Sequence, residues 1–216
     1  GEGGIRTLDI DYLEQLRQIC DEHNWLLMLD EVQCGMGRTG KWFAFQHTGI
    51  LPDVMTLAKG LGSGVPIGAC LTAGKAVGLF KPGNHGSTFG GNPLACTAGL
   101  TTLNIIEQDK LLAHAESLGQ FIRQGIAAAL QGVNGVKEIR GQGLMLGIEL
   151  DKPCGDLVKL ALAQGLLTNV TADNVIRLLP ALVMSQDEAQ QLLDILCPLI
   201  KDRITDRFPA QTHRFG

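Results

Sequence analysis

The sequence predicts an α/β fold in which helices cover short buried strands, and three observations predict it. Residues 25–29, 54–58 and 67–73 are brief, nearly unbroken apolar runs, the pattern of strands covered on both faces in a parallel sheet. Glycine-rich stretches at 35–40, 60–64 and 83–91 separate and follow these runs. Segments of helical texture alternate with them, as layered α/β folds require.

Taken in order, residues 9–23 place Leu13, Leu16, Ile19 and Cys20 on one helical face, with Asp9 as N-cap. The strand at 25–29 ends at Asp30, and the strand at 54–58 ends at Lys59. Asn92-Pro93 is a helix start, with Asn as N-cap and Pro at the first position. Residues 94–107 and 110–131 read as helices, 143–150 as a strand and 156–164 as a helix. Two more strands are expected at 166–169 and 175–179. Ser185-Gln186-Asp187-Glu188 is a capping box opening a last helix that runs to about Arg203. The texture changes after Gly132, and a domain boundary is expected near residues 100–110. This gives one domain over 1–105, a second over 106–207 and a loose tail over 208–216.

The bulk numbers exclude several function classes. With 216 residues, 45% hydrophobic, the chain can bury one large core or two small ones. A net charge of −4 gives no footprint for nucleic acid or an anionic membrane. No apolar run approaches the ~18 residues a membrane helix needs, and the glycine cluster at the start has no signal-peptide pattern. The six cysteines form no C-x-x-C pair and mostly sit in apolar stretches, which points to a reducing, cytoplasmic setting without disulfides. The histidines lack zinc-ligand spacing, so no metal is expected. The Asn169-Val170-Thr171 acceptor pattern is read as chance in the absence of a secretory signal.

Residues 35–40 fit the dinucleotide pattern G-x-G-x-x-G, but Glu31 to Cys34 intervene after the strand, and no acidic residue ends a strand at the required distance. Gly35-x-x-x-x-Gly40-Lys41 also approaches a phosphate-binding P-loop. The next residue is Trp42, where a hydroxyl should hold magnesium. A P-loop-like nucleotide-binding protein is the competing enzyme class, and a non-catalytic α/β binding module or dimer partner is the competing non-enzyme class.

The chemistry concentrates at two strand ends. Ligands of open α/β sheets sit outside the carboxyl ends of the strands, and Asp30 and Lys59 stand at two such ends. Pyridoxal phosphate (PLP) needs both groups: an amine to condense with its aldehyde and a carboxylate to keep its ring nitrogen protonated. Its phosphate needs hydroxyls, backbone N–H groups and a helix start. Ser87-Thr88-Phe89-Gly90-Gly91-Asn92-Pro93 supplies all of these.

Three stretches of sequence sharpen this. Residues 29–40 (LDEVQCGMGRTG), 56–62 (TLAKGLG) and 85–95 (HGSTFGGNPLA) closely resemble the class III aminotransferases, and the likeness extends from the Glu2-Gly3-Gly4 element to the C-terminal part. The resemblance implies the PLP-transferase-like fold (aspartate aminotransferase fold type I). The chain would supply the C-terminal part of the large mixed or parallel-sheet domain plus a small α+β C-terminal domain. It implies that Lys59 binds the cofactor covalently and carries the proton, and that Asp30 pairs with the ring nitrogen. Val32 would pack on the ring, Gln33 would lie near its phenolic oxygen, and Thr88 would bind phosphate. In the family, Ser87 and Thr88 reach the site of a neighbouring subunit, which implies a homodimer. Arg177 would grip a substrate α-carboxylate with a bidentate fork, and Glu2 would pair with Arg177 so that it can serve two substrates. The implied reaction moves the terminal amine of N-acetylornithine, or a related ω-amine, to 2-oxoglutarate in arginine biosynthesis. The family's N-terminal portion has no counterpart here, so the sequence is expected to be the C-terminal half of a longer polypeptide, with little turnover on its own.

Overall fold

The computed structural model describes residues 1–205. The tail expected at 208–216, with the last two residues of the expected second domain, lies outside the described residues. The described residues divide into two compact units, one of residue 1 with residues 7–116, the other of residues 2–6 with residues 117–205. The division falls inside a helix, a few residues beyond the 100–110 window.

In the first unit, α1 (Ile10–Glu22) starts at Asp9, whose Oδ1 accepts from the Asp11 amide at 2.9 Å. Leu13, Leu16 and Cys20 pack with Leu27, Leu29 and Ile50. Ile19, expected on that face, is exposed because its position falls on the flank of the helix. Arg17 takes the inward position, and its guanidinium reaches Asp53 at 2.7 Å.

The strands β1 (Met28–Asp30), β2 (Val54–Leu57) and β3 (Ala69–Thr72) form a mixed sheet in that order. β1 and β2 run parallel with Met28 opposite Val54 and Asp30 opposite Thr56; β3 runs antiparallel to β2. The expectation of burial on both faces holds only for the central strand β2. Met28 is 62% exposed, since α1 covers the face bearing Leu27 and Leu29 while Met28 points the other way. Trp25 and Leu26 precede the strand, and Trp25 stacks on His23. α2 (Pro93–Gln108) is capped by Asn92, which accepts from the Ala95 amide at 3.0 Å. It buries Ala95, Gly99, Thr102 and Ile106, one face at helical spacing.

Asp53 ties this unit together and gives a pH test. Burial alone would push its carboxyl up, but the Leu27 amide at 2.9 Å and the Arg17 guanidinium hold it below the ordinary carboxylate range. A depressed carboxyl contributes stability that is present above its unfolded pKa and lost as pH falls through the folded one. Asp53→Asn is therefore expected to cost about 1–3 kcal/mol at pH 7. In thermal melts the gap from the parent should narrow below roughly pH 4.

The second unit takes up α3 (Leu111–Ala129) from Ser117 onward. Its antiparallel sheet has the order β4-β5-β7-β6, built from β4 (Val136–Gln142), β5 (Met145–Leu150), β6 (Asn169–Thr171) and β7 (Val175–Leu178). Leu146 and Ile148 of β5 oppose Leu178 and Ile176 of β7. All four are buried, as are Ile122 and Ile126 of α3. Helices α4 (Leu157–Ala163) and α5 (Gln186–Ile204) complete the unit, α5 with the full Ser185–Glu188 capping box. At Gly119 a Cβ would meet the Gly143 carbonyl oxygen at 2.0 Å, so α3 touches the β4–β5 turn backbone to backbone.

Sequence reading misses β4, and it places β6 too early. Leu166 still belongs to the close of α4: its amide bonds the Ala161 carbonyl at 2.9 Å beyond Gly165 in the left-handed region, a helix stop rather than a strand start. Leu167 is consequently exposed.

Candidate active site

The first unit brings Asp30 and Lys59 to the carboxyl ends of adjacent parallel strands. Asp30 is opposite Thr56 in the ladder, and Lys59 lies three residues after Thr56, two beyond the end of β2. Asp30 Oδ1 is fixed by the Val32 amide at 2.9 Å and the Thr56 hydroxyl at 3.3 Å. Its Oδ2 accepts nothing among the described residues. Lys59 is exposed, and its amine has no partner among the described residues. Its φ of 44° puts a residue with a Cβ in the left-handed region, a strain that persists only where surroundings impose it. They do so here: the Leu61 amide bonds Ala58, Met36 sits over Gly60, and the Thr102 hydroxyl of α2 reaches Ser63 at 3.1 Å. Met36 is 3% exposed, so the loop after β1 is packed on the turn that carries Lys59.

Val32 and Gln33 are half-buried in the loop after Asp30, and Gln33 lies against Gly1, where a Cβ would meet its side-chain oxygen at 2.0 Å. Ser87 and Thr88 stand in a fully exposed segment before α2. Ser87 Oγ accepts from the Gly90 amide at 3.0 Å, whereas the Thr88 hydroxyl has no partner among the described residues. The structure does not bring Thr88 to Asp30 or Lys59 by any hydrogen bond.

A buried carboxylate escaped the sequence reading. Glu31 is 3% exposed and accepts from the Ala44 and Phe45 amides at 3.0 and 2.9 Å, closing the glycine loop back onto the strand end. Burial and this carboxylate push the Cys34 thiol up to about 12, so Cys34 is an inert neighbour and no nucleophile. The one available signal was position: the residue beside a strand-end Asp faces the opposite side of the strand. The same loop disposes of the phosphate-loop alternative. Residues 35–41 lead into a short 3-10 turn, Ala44–His47, so no helix N-terminus stands ready for a phosphate.

The second unit brings Glu2 and Arg177 together. Arg177, on β7, is 11% exposed at its side chain; its Nη1 meets the Glu2 carboxylate at 2.5 Å and its Nε meets Asn169 Oδ1 at 3.1 Å. Glu2 is held through its carbonyl by the Thr171 hydroxyl. A buried arginine, Arg140, was also missed. It donates to the Gly4 and Ile5 carbonyls and pairs with Glu138 and Glu149. Its hydrogen bond holds the Glu149 carboxyl below the usual range.

Known proteins resemble this chain over nearly all of its length. The family model for class-III aminotransferases matches residues 1–200. The acetylornithine aminotransferase of Nitrosomonas europaea is 60% identical over 93% of this chain, which covers 51% of that protein. The chain thus spans about half the length of the curated relatives it matches. Among solved structures, the N-acetylornithine aminotransferase of Stenotrophomonas maltophilia K279a superposes with a TM-score of 0.84 at 36% identity, over 96% of this chain and 55% of that one. The ornithine aminotransferase of Toxoplasma gondii, with PLP at partial occupancy in its active site, gives 0.89 at 35% identity, over 96% and 50%.

Proposed function

This chain belongs to the class-III aminotransferases, and from that premise we propose that it carries the lysine, the ring-nitrogen carboxylate and the substrate arginine of an N-acetylornithine:2-oxoglutarate aminotransferase. The observation that carries the reading is the Asp30–Lys59 arrangement: a carboxylate anchored by one oxygen with the other open, and an unpartnered amine on the next parallel strand end. These residues fit PLP. When bound, PLP supplies an aldehyde for an amine to condense with and a ring that takes up the electron pair left at the reacting carbon.

Asp30 would keep the ring nitrogen of the bound cofactor protonated, because an opposite charge within a few Å favours the charged form. Val32 would lie against the ring, and Gln33 would serve its phenolic oxygen. Lys59 Nζ would be the amine that holds the cofactor and the base that moves the proton at the substrate carbon. Arg177 takes a carboxylate of the 2-oxo acid, and Glu2 neutralises Arg177 while the donor occupies the site. Thr88 binds phosphate, and Ser87 lies near substrate, in the site of a second copy within a homodimer. Their exposure and the unpartnered Thr88 hydroxyl support this. Six free cysteines support a cytoplasmic setting, and no helix among the described residues is long and apolar enough to cross a membrane.

The test is glutamate release from 2-oxoglutarate by the full-length polypeptide, with N-acetylornithine, ornithine and 4-aminobutyrate compared as donors. The expected result is the highest kcat/KM with N-acetylornithine. A clear preference for ornithine would overturn the donor assignment, and no transfer from any amine would overturn the reaction.

A further inference from the structure

Four residues form one row across the second sheet. Arg140 of β4 opposes Gly147 of β5, Gly147 opposes Arg177 of β7, and Arg177 opposes Asn169 of β6. Opposed residues of antiparallel strands project to the same face, so the two arginines stand on one face with a single strand between them, roughly 10 Å apart. That middle strand has a glycine at the row position, and the space is taken by Ile5, whose Cβ lies 3.0 Å from where a Gly147 side chain would begin. Ile5 is 3% exposed. Residues 2–6 therefore cross the row as a strap.

The strap is fastened at several points. Arg140, 9% exposed, donates Nε to the Gly4 and Ile5 carbonyls at 3.0 and 2.9 Å and Nη2 to Gly4 at 2.6 Å. Its Nη1 is braced by Glu138 and Glu149 at 2.6 Å each. Arg6, at the strap's end, pairs with Glu149. The other end of the strap is Glu2, on Arg177. One arginine thus grips the main chain of the strap while the other meets its carboxylate.

We propose that Arg140 is a positioning residue for substrate selection: by fixing the main chain at Gly4 and Ile5 it sets how firmly Glu2 covers Arg177, and so the balance between the donor and the dicarboxylate acceptor. This rests on the reading of Arg177 and Glu2 given above. Glu2 is largely exposed at its side chain, so its ion pair draws its persistence from the backbone that presents it. A planar guanidinium can serve two carbonyls and two carboxylates at once; an ammonium cannot.

The test uses the full-length enzyme and the variants Glu2→Gln, Arg140→Lys, the double variant and Gly147→Ala. Gly147→Ala displaces Ile5 without touching any charge, and it decides the matter if Arg140→Lys does not fold. The readouts are the ratio of the 2-oxoglutarate KM to the donor KM and the deuterium exchange of residues 2–6. Glu2→Gln is expected to lower the ratio by up to about fivefold, the range of a partly exposed ion pair. Arg140→Lys and Gly147→Ala should lower it in the same direction with faster exchange at 2–6, and the double variant should go no further than Glu2→Gln alone. A ratio that shifts with Glu2→Gln but not with Arg140→Lys or Gly147→Ala would leave Arg140 a structural residue only. A ratio indifferent to Glu2→Gln would remove the Glu2–Arg177 reading and this inference with it.

Discussion

Lys59→Ala in the full-length enzyme is expected to lower kcat by at least about 10²–10⁴-fold, the span that a positioned proton-transfer group supplies. The loss is chemical and not a failure to fold. Lys59 is exposed and its amine holds nothing in place among the described residues. Lysine at this position already carries a Cβ in the left-handed region, so alanine adds no backbone strain. The melting temperature of the cofactor-free protein should stay within about 2 °C, since surface substitutions lie within ~0.5 kcal/mol. Retention of turnover within tenfold of the parent, with N-acetylornithine and 2-oxoglutarate as substrates, would contradict the role.

Asp30→Asn is the second large effect, expected at roughly 10–10³-fold in kcat. An adjacent opposite charge moves a pKa by ~1–3 units, and the fraction of protonated ring nitrogen changes accordingly. Asparagine keeps an oxygen for the Val32 amide and the Thr56 hydroxyl, which hold Oδ1 at 2.9 and 3.3 Å, so the strand end should keep its shape. What is lost is the charge on the open side. Kinetics with N-acetylornithine as donor and circular dichroism of the purified variant separate the two. A folded Asp30→Asn enzyme with near-parental kcat would show that the carboxylate does not act on the ring nitrogen.

The strand-end pair was legible in the sequence because both residues close short apolar runs, and one parallel register puts Asp30 opposite Thr56, three residues before Lys59. The helix starts at Asp9, Asn92 and Ser185 were legible because capping chemistry is local. What stayed hidden depends on contacts between distant residues. β4 interrupts its apolar alternation with Lys137, Glu138 and Arg140 and carries a bulge between Val136 and Glu138, so no period-two signal survives. Arg140 is buried only because carbonyls more than a hundred residues away accept from it. Glu31 reads as an ordinary acidic neighbour of Asp30 until the loop returns two amides to it. Exposure was misjudged at Met28 because an apolar run reports composition and not which neighbour covers each face.

The most direct test of the account is borohydride reduction of the full-length enzyme loaded with PLP, followed by peptide mapping of the attachment site. Fixation at Lys59 alone, abolished in Lys59→Ala, is the expected result. Fixation at another lysine, or label spread over many lysines with none dominant, would contradict the assignment of Lys59 as the residue that holds the cofactor.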